Sequence, residues 1–312
     1  MGAKWTAAEI PKLRGRTAIV TGANSGLGLV TASELARHGA AVILACRDLV
    51  KGQSAMTRIG AEIPEADLQL EELDLGDQGS IAAFAERFAA DGRDGLDLLI
   101  NNAGVMAPPR RVTHDAFELQ IGTNHLGHFA LTGRLIAHME GRPDARVVTL
   151  SSNAHKMGKI NLEDIQSEHR YMRWSAYGQS KLANLMFALE LDRRLRAADS
   201  PIKSVAAHPG YAATNLQTAA APAIDRIVMR ATNLVMAQSA EMGALPSLYA
   251  ATAPGVESGS YYGPDGPGEF RGHPHLSSPS KAARDVLKAR RLWELSEELT
   301  GVRFSLPASS TT

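Results

Sequence analysis

The glycine-rich turn Thr21-Gly-Ala-Asn-Ser-Gly-Leu-Gly28 is the feature that most constrains the fold of this chain. An apolar run at 17–20 leads into the turn, and apolar residues recur at helical spacing after it. Such a turn suits a dinucleotide, because glycine lets the backbone approach a pyrophosphate at the positive end of the following helix. The spacing Gly-x-x-x-Gly-x-Gly differs from the commonest fingerprint, Gly-x-Gly-x-x-Gly, so an ordinary strand-to-helix turn stays open on this motif alone.

The rest of the chain alternates between short apolar runs and helical patterns, which predicts a doubly wound parallel sheet with helices on both faces. The further strand-like runs lie at 40–45, 68–75, 96–100, 146–152 and 202–207, and the helical patterns lie at 49–63, 79–88, 116–139 and 176–195. Polar or small residues end these runs at Cys46-Arg47, Asp74-Leu75, Asn101 to Gly104, Ser151-Ser152 and Pro209-Gly210. Because ligands of open α/β sheets bind at the carboxyl ends of the strands, these clusters predict a site along one edge.

No composition break occurs before about residue 211, where the pattern loosens, and the region that follows is too small and too apolar for a separate domain. We therefore predict a single domain over 1–312, in which about 211–272 covers the substrate as a small C-terminal cap. One last strand is expected near 259–262, a helix over 280–299 and a disordered tail over 307–312.

Composition narrows the classes of function that this chain can serve. Its 312 residues are 44% hydrophobic and 21% charged, as in ordinary globular proteins, and the net charge is zero. Zero net charge gives no support for nucleic-acid binding, which usually needs a basic excess. The single cysteine, Cys46, fits a reducing compartment, and we find neither a signal peptide nor an apolar run long enough for an integral membrane segment. The sequence thus favours a cytoplasmic location.

The candidate chemistry lies in Tyr177-Gly-Gln-Ser-Lys181, where residues four apart share one helix face. A cation beside a phenol favours phenolate, which lowers a pKa that is ordinarily about 10. Ser152, at the end of the preceding strand, is placed to hydrogen-bond a substrate carbonyl and polarise it. The plainer alternative, a packed tyrosine beside a solvated lysine, stays open on this loose pattern alone.

Taken together, the motifs resemble the short-chain dehydrogenase/reductase family from about residue 14 to 215. The matching pieces are Thr21 to Gly28, Asp74-Leu75, Asn101-Asn-Ala-Gly104, Asn124, Ser151-Ser152, Tyr177-x-x-x-Lys181 and Pro209-Gly210 with Thr214. Longer stretches are similar to the retinol-dehydrogenase-like branch, namely Ile43 to Arg47, Thr123 to Phe129 and Ala176 to Asn184. The resemblance implies a Rossmann-like α/β fold and hydride transfer between a nicotinamide and a carbonyl or alcohol carbon.

The resemblance also implies a role for each site residue. Tyr177 moves the proton, Lys181 lowers its pKa and binds the nicotinamide ribose, Ser152 orients the carbonyl, and Asn124 supports a proton relay. Asn124 could instead be only a helix-kink residue. The implied cofactor contacts are Gly22, Asn24, Ser25, Gly26, Leu27, Gly28, Arg47, Asp74, Leu75, Asn102, Ala103, Gly104, Tyr177, Lys181, Pro209, Gly210 and Thr214.

The end of the second strand carries a local argument about the cofactor. An acidic residue there would bond the ribose 2′-hydroxyl and repel a 2′-phosphate, but this chain has the neutral Cys46 followed by Arg47. A guanidinium holds phosphate by paired charge-assisted bonds, so NADP(H) is favoured over NAD(H). The structural alternative is that Arg47 pairs with Asp48.

The segment 153–176 between Ser152 and Tyr177 is longer than in the shortest family members. Its His155 and His169 invite a metal, but no cysteine or tightly spaced histidine pair supports one, and surface or substrate-rim positions are the better expectation. His125, His128 and His208 are interpreted in the same way as scaffold or rim residues. We predict no metal site.

The sequence leaves the substrate and the reaction direction open. Methionine and alanine in 211–242 suit an adaptable apolar pocket for a lipophilic aldehyde, ketone or alcohol, although a core face, a subunit contact or a membrane surface would explain the same stripe. A non-catalytic NADP-binding sensor on the same fold and a nucleotide-sugar epimerase are the alternatives. The long helices 116–139 and 176–195 form a dimer contact in many relatives, so a homodimer, a homotetramer and a monomer all stay open.

Overall fold

The central sheet has eight strands in a computed structural model that describes residues 4–211 and 238–306. The strands are β1 (Thr17–Thr21), β2 (Ala41–Cys46), β3 (Leu68–Glu72), β4 (Leu98–Asn101), β5 (Arg146–Leu150), β6 (Lys203–Ala207), β7 (Tyr261–Pro264) and β8 (Pro274–Leu276). Their spatial order is β3-β2-β1-β4-β5-β6-β7-β8. Every pair except β7–β8 is parallel. After β3 the chain crosses back and adds β4 on the other side of β1. The ends of β1 and β4 therefore form the topological switch point, where such sheets bind ligands.

Helices cover both faces of the sheet. They are α1 (Gly26–Arg37), α2 (Leu49–Glu62), α3 (Gln78–Ala90), α4 (Leu119–Ile121), α5 (Gly127–Leu135), α6 (Arg173–Ala197), α7 (Ala240–Thr252) and α8 (Val286–Thr300). Buried residues of α1, α2 and α7 pack on one face, and those of α3, α5 and α6 pack on the other. The strands are nearly continuous apolar runs because both faces are buried. The predicted doubly wound α/β fold is confirmed.

The edge strand β8 was not predicted. It runs antiparallel to β7 after a turn in which the Asp265 amide donates to the His273 carbonyl at 2.8 Å. Its three residues, two half-buried and one exposed, carry too little alternation to indicate a strand. The predicted last strand near 259–262 corresponds to β7, which begins at Tyr261.

The predicted continuous helix over 116–139 is wrong in detail. Ala116 lies in a turn with a φ of +63°, α4 begins at Leu119, and a π-helical turn (Gly122–Leu126) separates α4 from α5. A 3₁₀ turn (Ile136–Met139) ends the segment. The π turn widens the helix at Asn124, and such insertions often mark functional sites.

The C-terminal helix begins later than the predicted 280–299. Asp285 caps α8 by accepting the Lys288 amide at 3.0 Å, and α8 ends where Gly301 adopts a left-handed φ of +67°. The apolar face of α8 packs on α5 and α6, where Trp293 stacks on Phe187 with ring centres 5.7 Å apart. The predicted tail at 307–312 and residues 212–237 of the predicted cap lie outside the described residues.

Candidate active site

The glycine turn between β1 and α1 is built for a close backbone approach. Gly22 has a φ of +66°, which side chains other than glycine rarely adopt. A Cβ on Gly28 would lie 2.4 Å from the Gly22 carbonyl oxygen and 2.5 Å from Asn102 Nδ2. The first turn of α1 therefore packs directly against the loop that precedes it, and its free N–H groups face the sheet edge, where a pyrophosphate fits.

The loop after β4 is fastened to the same turn. The Thr21 hydroxyl oxygen accepts the amides of Asn102 and Ala103, both at 2.9 Å. The Asn102 side chain donates in return to the Thr21 carbonyl at 2.7 Å. His128 Nε2 lies 2.9 Å from the same hydroxyl oxygen. These bonds hold the ends of β1 and β4 together and shape one wall of a groove.

That groove, of about 240 Å³, lies beside the ends of β1, β2 and β4. The predicted cofactor residues that line it are Gly22, Asn24, Arg47, Asp74, Leu75, Ala103 and Gly104. Asp74 is held in place by accepting the Gly76 amide at 2.8 Å. Ser25, Gly26 and Gly28 form the start of α1 beside it, and Leu27 lines the neighbouring cavity. Thr214 lies outside the described residues.

Two cations stand at the outer end of the groove. Arg47 is exposed, and Lys51 follows one helical turn later and also lines the groove. Asp48 caps α2 and pairs with Lys51 at 2.7 Å; over residues 4–211 and 238–306 no ion pair joins Asp48 to Arg47. In the described residues Asp48 therefore forms its ion pair with Lys51 and not with Arg47, as the alternative had assumed. Sequence reasoning missed Lys51, although its position in the first turn after Arg47 was a signal.

Cys46 ends β2 under the glycine turn. Burial raises the pKa of the Cys46 thiol to about 11. Hydrogen bonds from the backbone of Ala23 and Asn24 lower this pKa, but their effect is smaller. The thiol is neutral at physiological pH, so this position offers no negative charge to repel a phosphate.

Ser152, Tyr177 and Lys181 meet in a second, larger cavity of about 490 Å³. The α6 helix presents Tyr177 and Lys181 one turn apart, and both are nearly buried, at 8% and 6% exposure. Lys181 Nζ lies 5.9 Å from the centre of the Tyr177 ring and donates to the Leu150 carbonyl at 3.2 Å. Gly104 belongs to both the cavity and the groove, so the two spaces adjoin.

The two adjacent serines have different environments. The Ser151 hydroxyl is buried and donates to the Lys181 carbonyl at 2.8 Å, which ties the end of β5 to α6. Ser152 is partly open to the cavity, and its hydrogen bond lowers the pKa of Tyr177. Of the two, Ser152 is the one that a substrate in the cavity can reach.

Burial dominates the electrostatics of these groups. It lowers the pKa of Lys181 to about 8 and raises the pKa of Tyr177, with only the Ser152 hydrogen bond opposing the latter. The lowering of the Tyr177 pKa that the resemblance assigns to Lys181 stays a prediction, since it involves the cofactor's charge as well as the lysine. Additional positive charge in the cavity would favour the phenolate.

Asn124 lies in the π turn behind the cavity. Its side chain exchanges hydrogen bonds with the Val105 backbone at 2.7 and 3.0 Å and donates to the Ser180 hydroxyl at 2.9 Å. A Cβ on Gly104 would lie 3.0 Å from Asn124 Oδ1 and 3.5 Å from Lys181 Nζ. Asn124 therefore holds the loop after β4 against α6. It also lies in a π-helical turn, which agrees with the alternative that Asn124 is a helix-kink residue.

The histidines of the insert are not both peripheral. His169 is exposed, but the expectation of a surface or rim position is wrong for His155, which is fully buried. Its Nδ1 lies 2.7 Å from the Ser152 carbonyl oxygen, and its Nε2 accepts the Ser280 amide at 3.4 Å. His155 thereby connects the turn after Ser152 to the C-terminal region, a contact that local sequence does not indicate.

The substrate side of the cavity is largely apolar. Its walls include Met106, Met157, Trp174, Tyr211 and Phe270, and predicted Pro209 and Gly210 form its edge beside β6. Trp174 meets Tyr177 edge-on with ring centres 6.1 Å apart. Sequence reasoning missed Phe270, since the turn between β7 and β8 gives no local sign that it reaches the active site.

A fold and a site of this kind are those of nicotinamide-dependent oxidoreductases. The family model described as short chain dehydrogenase matches residues 16–225, so the chain belongs to the short-chain dehydrogenase/reductase family, in its retinol-dehydrogenase-like branch. It is 41% identical to human retinol dehydrogenase 12 over 302 residues, covering 94% of this chain and 89% of that protein. Mouse retinol dehydrogenase 14 is 37% identical over 303 residues, with 93% and 87% covered.

Solved structures agree with this assignment. A crystal structure of an uncharacterized protein from Mycobacterium paratuberculosis has 47% sequence identity and a TM-score of 0.81, covering 97% of this chain and 100% of that one. A structure of an NAD(P)-dependent gluconate 5-dehydrogenase from Beutenbergia cavernae, with bound NADP at low occupancy, has 25% identity and a TM-score of 0.64, with 80% and 95% covered. This protein is thus an oxidoreductase of alcohols and carbonyls. None of the helices described here has the length and apolarity of a membrane span.

Proposed function

We propose that this protein is an NADP(H)-dependent oxidoreductase that interconverts a lipophilic alcohol and its aldehyde or ketone by a Ser-Tyr-Lys mechanism. The observation that carries the proposal is the junction at Gly104, where a groove bearing Arg47 adjoins the cavity that holds Ser152 and Tyr177. A substrate carbonyl in that cavity is within reach of a hydroxyl and a phenol, while its carbon faces the groove.

The preference for NADP(H) rests on charge. Arg47 and Lys51 supply positive charge at the outer groove, and the buried neutral thiol of Cys46 replaces the acidic residue that would select NAD(H). The bound NADP in the Beutenbergia cavernae relative supports the same choice. Gly22 and Gly28 let the turn pack closely against the loop after β4, which keeps the start of α1 at the sheet edge where a pyrophosphate would bind.

The preference for a lipophilic substrate rests on the cavity wall. Met157, Trp174 and Phe270 are 70%, 47% and 39% exposed, and all three line the same cavity, so they form an apolar surface that a lipophilic ligand can cover. Methionine adapts to ligands of varied shape, and an apolar cavity of about 490 Å³ is of ligand size. The relatives named as retinol dehydrogenases make a retinoid the first substrate to test.

In the proposed mechanism the chain's own residues position the carbonyl and move a proton. The nicotinamide, when bound, supplies or accepts the hydride. Ser152 donates a hydrogen bond to the substrate oxygen, and Tyr177 gives that oxygen its proton in reduction or takes it in oxidation. Lys181, buried at the Leu150 carbonyl, favours the phenolate of Tyr177. Asn124 binds the Val105 backbone and so holds Gly104 beside Lys181.

The decisive experiment compares the wild type with Tyr177→Phe. NADPH oxidation is followed with retinal, long-chain aldehydes, steroid ketones and small quinones, and NADH serves as a second cofactor. Tyr177→Phe should lose at least about a thousandfold in kcat while the Kd for NADPH changes less than about threefold, because only the proton donor is lost. Tyr249→Phe, on α7 outside the cavity lining, is the matched control and should retain full turnover.

Two outcomes would contradict the proposal. Equal turnover by Tyr177→Phe and wild type would remove Tyr177 from the mechanism. Tight NADPH binding without turnover on any member of the panel would instead support a non-catalytic sensor.

A further inference from the structure

Glu269 brings together three segments around the substrate cavity. It lies in the turn between β7 and β8, and its Oε2 is 2.9 Å from Lys156 Nζ and 3.5 Å from His208 Nε2. Its Oε1 is 3.7 Å from His275 Nε2. We name these four residues the Glu269 cluster. His208 and Lys156 hold the pKa of the Glu269 carboxyl well below its usual range, so it stays ionised.

The tautomer of His208 follows from its neighbours. The Gly210 amide donates to His208 Nδ1 at 3.3 Å, so the ring proton of the neutral imidazole is on Nε2, the atom that faces Glu269. Burial lowers the pKa of His208, which keeps the ring neutral. A Cβ on Gly263 would lie 1.9 Å from that Nε2, so glycine at 263 is required for the ring to fit.

Backbone bonds from the same turn reach the two sides of the active site. The Asn153 side chain donates through Nδ2 to the backbone carbonyls of Gly268 and Glu269, both at 3.2 Å, next to Ser152. On the other side, the Tyr211 amide donates to the Phe270 carbonyl at 2.8 Å, beside Gly210. The turn therefore touches both the Ser152 turn, 152–157, and the segment 208–211.

Glu269 holds a strained backbone at this place. Its φ is +57°, a left-handed conformation that is unfavourable for a residue with a side chain. Such strain persists only where surrounding contacts over-determine the conformation. Here the ion pair with Lys156 at 2.9 Å and the longer approach of His208 Nε2 at 3.5 Å hold the Glu269 carboxylate, and the next residue, Phe270, lines the cavity.

We propose that Glu269 is a positioning residue, whose carboxylate fastens the Ser152 turn through Lys156 and the segment 208–211 through His208 and so sets the spacing across the substrate cavity. The inference rests on the proposed function for its effect on turnover. Its mechanical part, the fastening of two segments by one carboxylate, is independent of any substrate.

Hydrogen exchange on the cofactor-free protein tests the mechanical part. Glu269→Gln removes the charge and keeps the shape, so the amides of 153–158 and 208–211 should exchange about tenfold faster in both segments. Glu294→Gln is the matched control, since it breaks an exposed glutamate–arginine pair on α8, at 2.9 Å, far from the cavity. Unchanged exchange in either segment, or equal acceleration in the control, would overturn the proposal.

Kinetics test the consequence for catalysis. Glu269→Gln should lower kcat about tenfold with a smaller change in the Kd for NADPH, because a misplaced Ser152 weakens the transition state more than cofactor binding. Glu269→Asp keeps the charge and should recover part of that loss. An unchanged kcat in Glu269→Gln, with wild-type turnover present, would refute the positioning role.

A second variant covers the case in which Glu269→Gln does not fold. Lys156→Gln removes only one contact of the Glu269 cluster, so exchange should accelerate in 153–158 and stay unchanged in 208–211. Acceleration in neither segment would refute the fastening. Should no substrate turn over for the wild type, the exchange result still decides this inference, and only the proposed function has failed.

Discussion

At the scale of single residues, cofactor choice depends on a few charges at the end of β2. Asp48 is engaged with the α2 N-terminus and Lys51, which leaves the Arg47 guanidinium exposed at the groove. The Cys46 thiol beside it is uncharged. The argument for NADP(H) is therefore electrostatic and local, and it can be tested one side chain at a time.

Arg47→Gln should raise the KM for NADPH about tenfold or more and leave the KM for NADH within about twofold. Charge-assisted bonds to a phosphate contribute roughly 1.5–3 kcal/mol, and only NADPH carries the 2′-phosphate. Steady-state kinetics with both cofactors measure the change. Arg58→Gln, on the exposed side of α2 where it pairs with Glu62, is the control. An equal loss with NADPH and NADH would show that Arg47 does not contact the 2′-phosphate.

At the scale of elements, the helical segment after β4 carries two buried histidines. His125 Nε2 lies 2.9 Å from the Ser296 hydroxyl on α8, and His128 bonds to the Asn124 carbonyl and the Thr21 hydroxyl. Burial lowers the pKa of His125 to about 3 and of His128 to about 4. Each ring is therefore neutral in the folded protein and joins the π turn to another element.

These histidines should make stability fall in mild acid. The unfolded chain protonates a histidine below about pH 6.5, whereas the folded protein resists protonation until pH 3–4, so the free energy of unfolding decreases as pH falls through this window. Between pH 6.5 and 4.5 the loss is roughly 2 kcal/mol per ring. Urea unfolding at several pH values measures the slope, and His125→Asn should reduce it. His114→Asn replaces an exposed imidazole as the control, and identical slopes in His125→Asn and wild type would contradict the assignment.

At the scale of the whole molecule, α8 packs over α5 and α6, the helical segments for which the sequence left a dimer contact open. Trp293 packs edge-on against Phe129 at 5.0 Å, stacks on Phe187, and lies under the Arg194 guanidinium at 4.3 Å. Phe304 completes the same cluster. The C-terminal region of the chain thus buries aromatic side chains of α5 and α6.

We expect this chain to be a monomer at micromolar concentration, since the α5–α6 face is already buried. Light scattering should give a mass near 33.3 kDa. Trp293→Ala should lower the free energy of unfolding by about 3–5 kcal/mol and promote association, because it opens an aromatic cavity on that face. Trp174→Ala, at a half-exposed tryptophan, should cost far less. A stable wild-type dimer that Trp293→Ala dissociates would reverse this view.

Local sequence determined most of the fold and much of the candidate site. Strands, helices and the glycine turn depend on patterns within a few residues, and the right-handed crossovers of a parallel sheet bring the strand ends to one edge. Gly22, Ser152, Tyr177 and Lys181 could be found in this way, because each lies at a strand end or on one helix face.

Only the tertiary structure decided which distant residues complete the site. Lys156 and Glu269 are 113 residues apart in sequence, and the buried position of His155 depends on Ser280 from the C-terminal region. Phe270, the π turn at Asn124 and the cover of α8 over α6 likewise depend on packing between remote segments. The physical reason is that ion pairs and burial act through space, so no pattern along the chain records them.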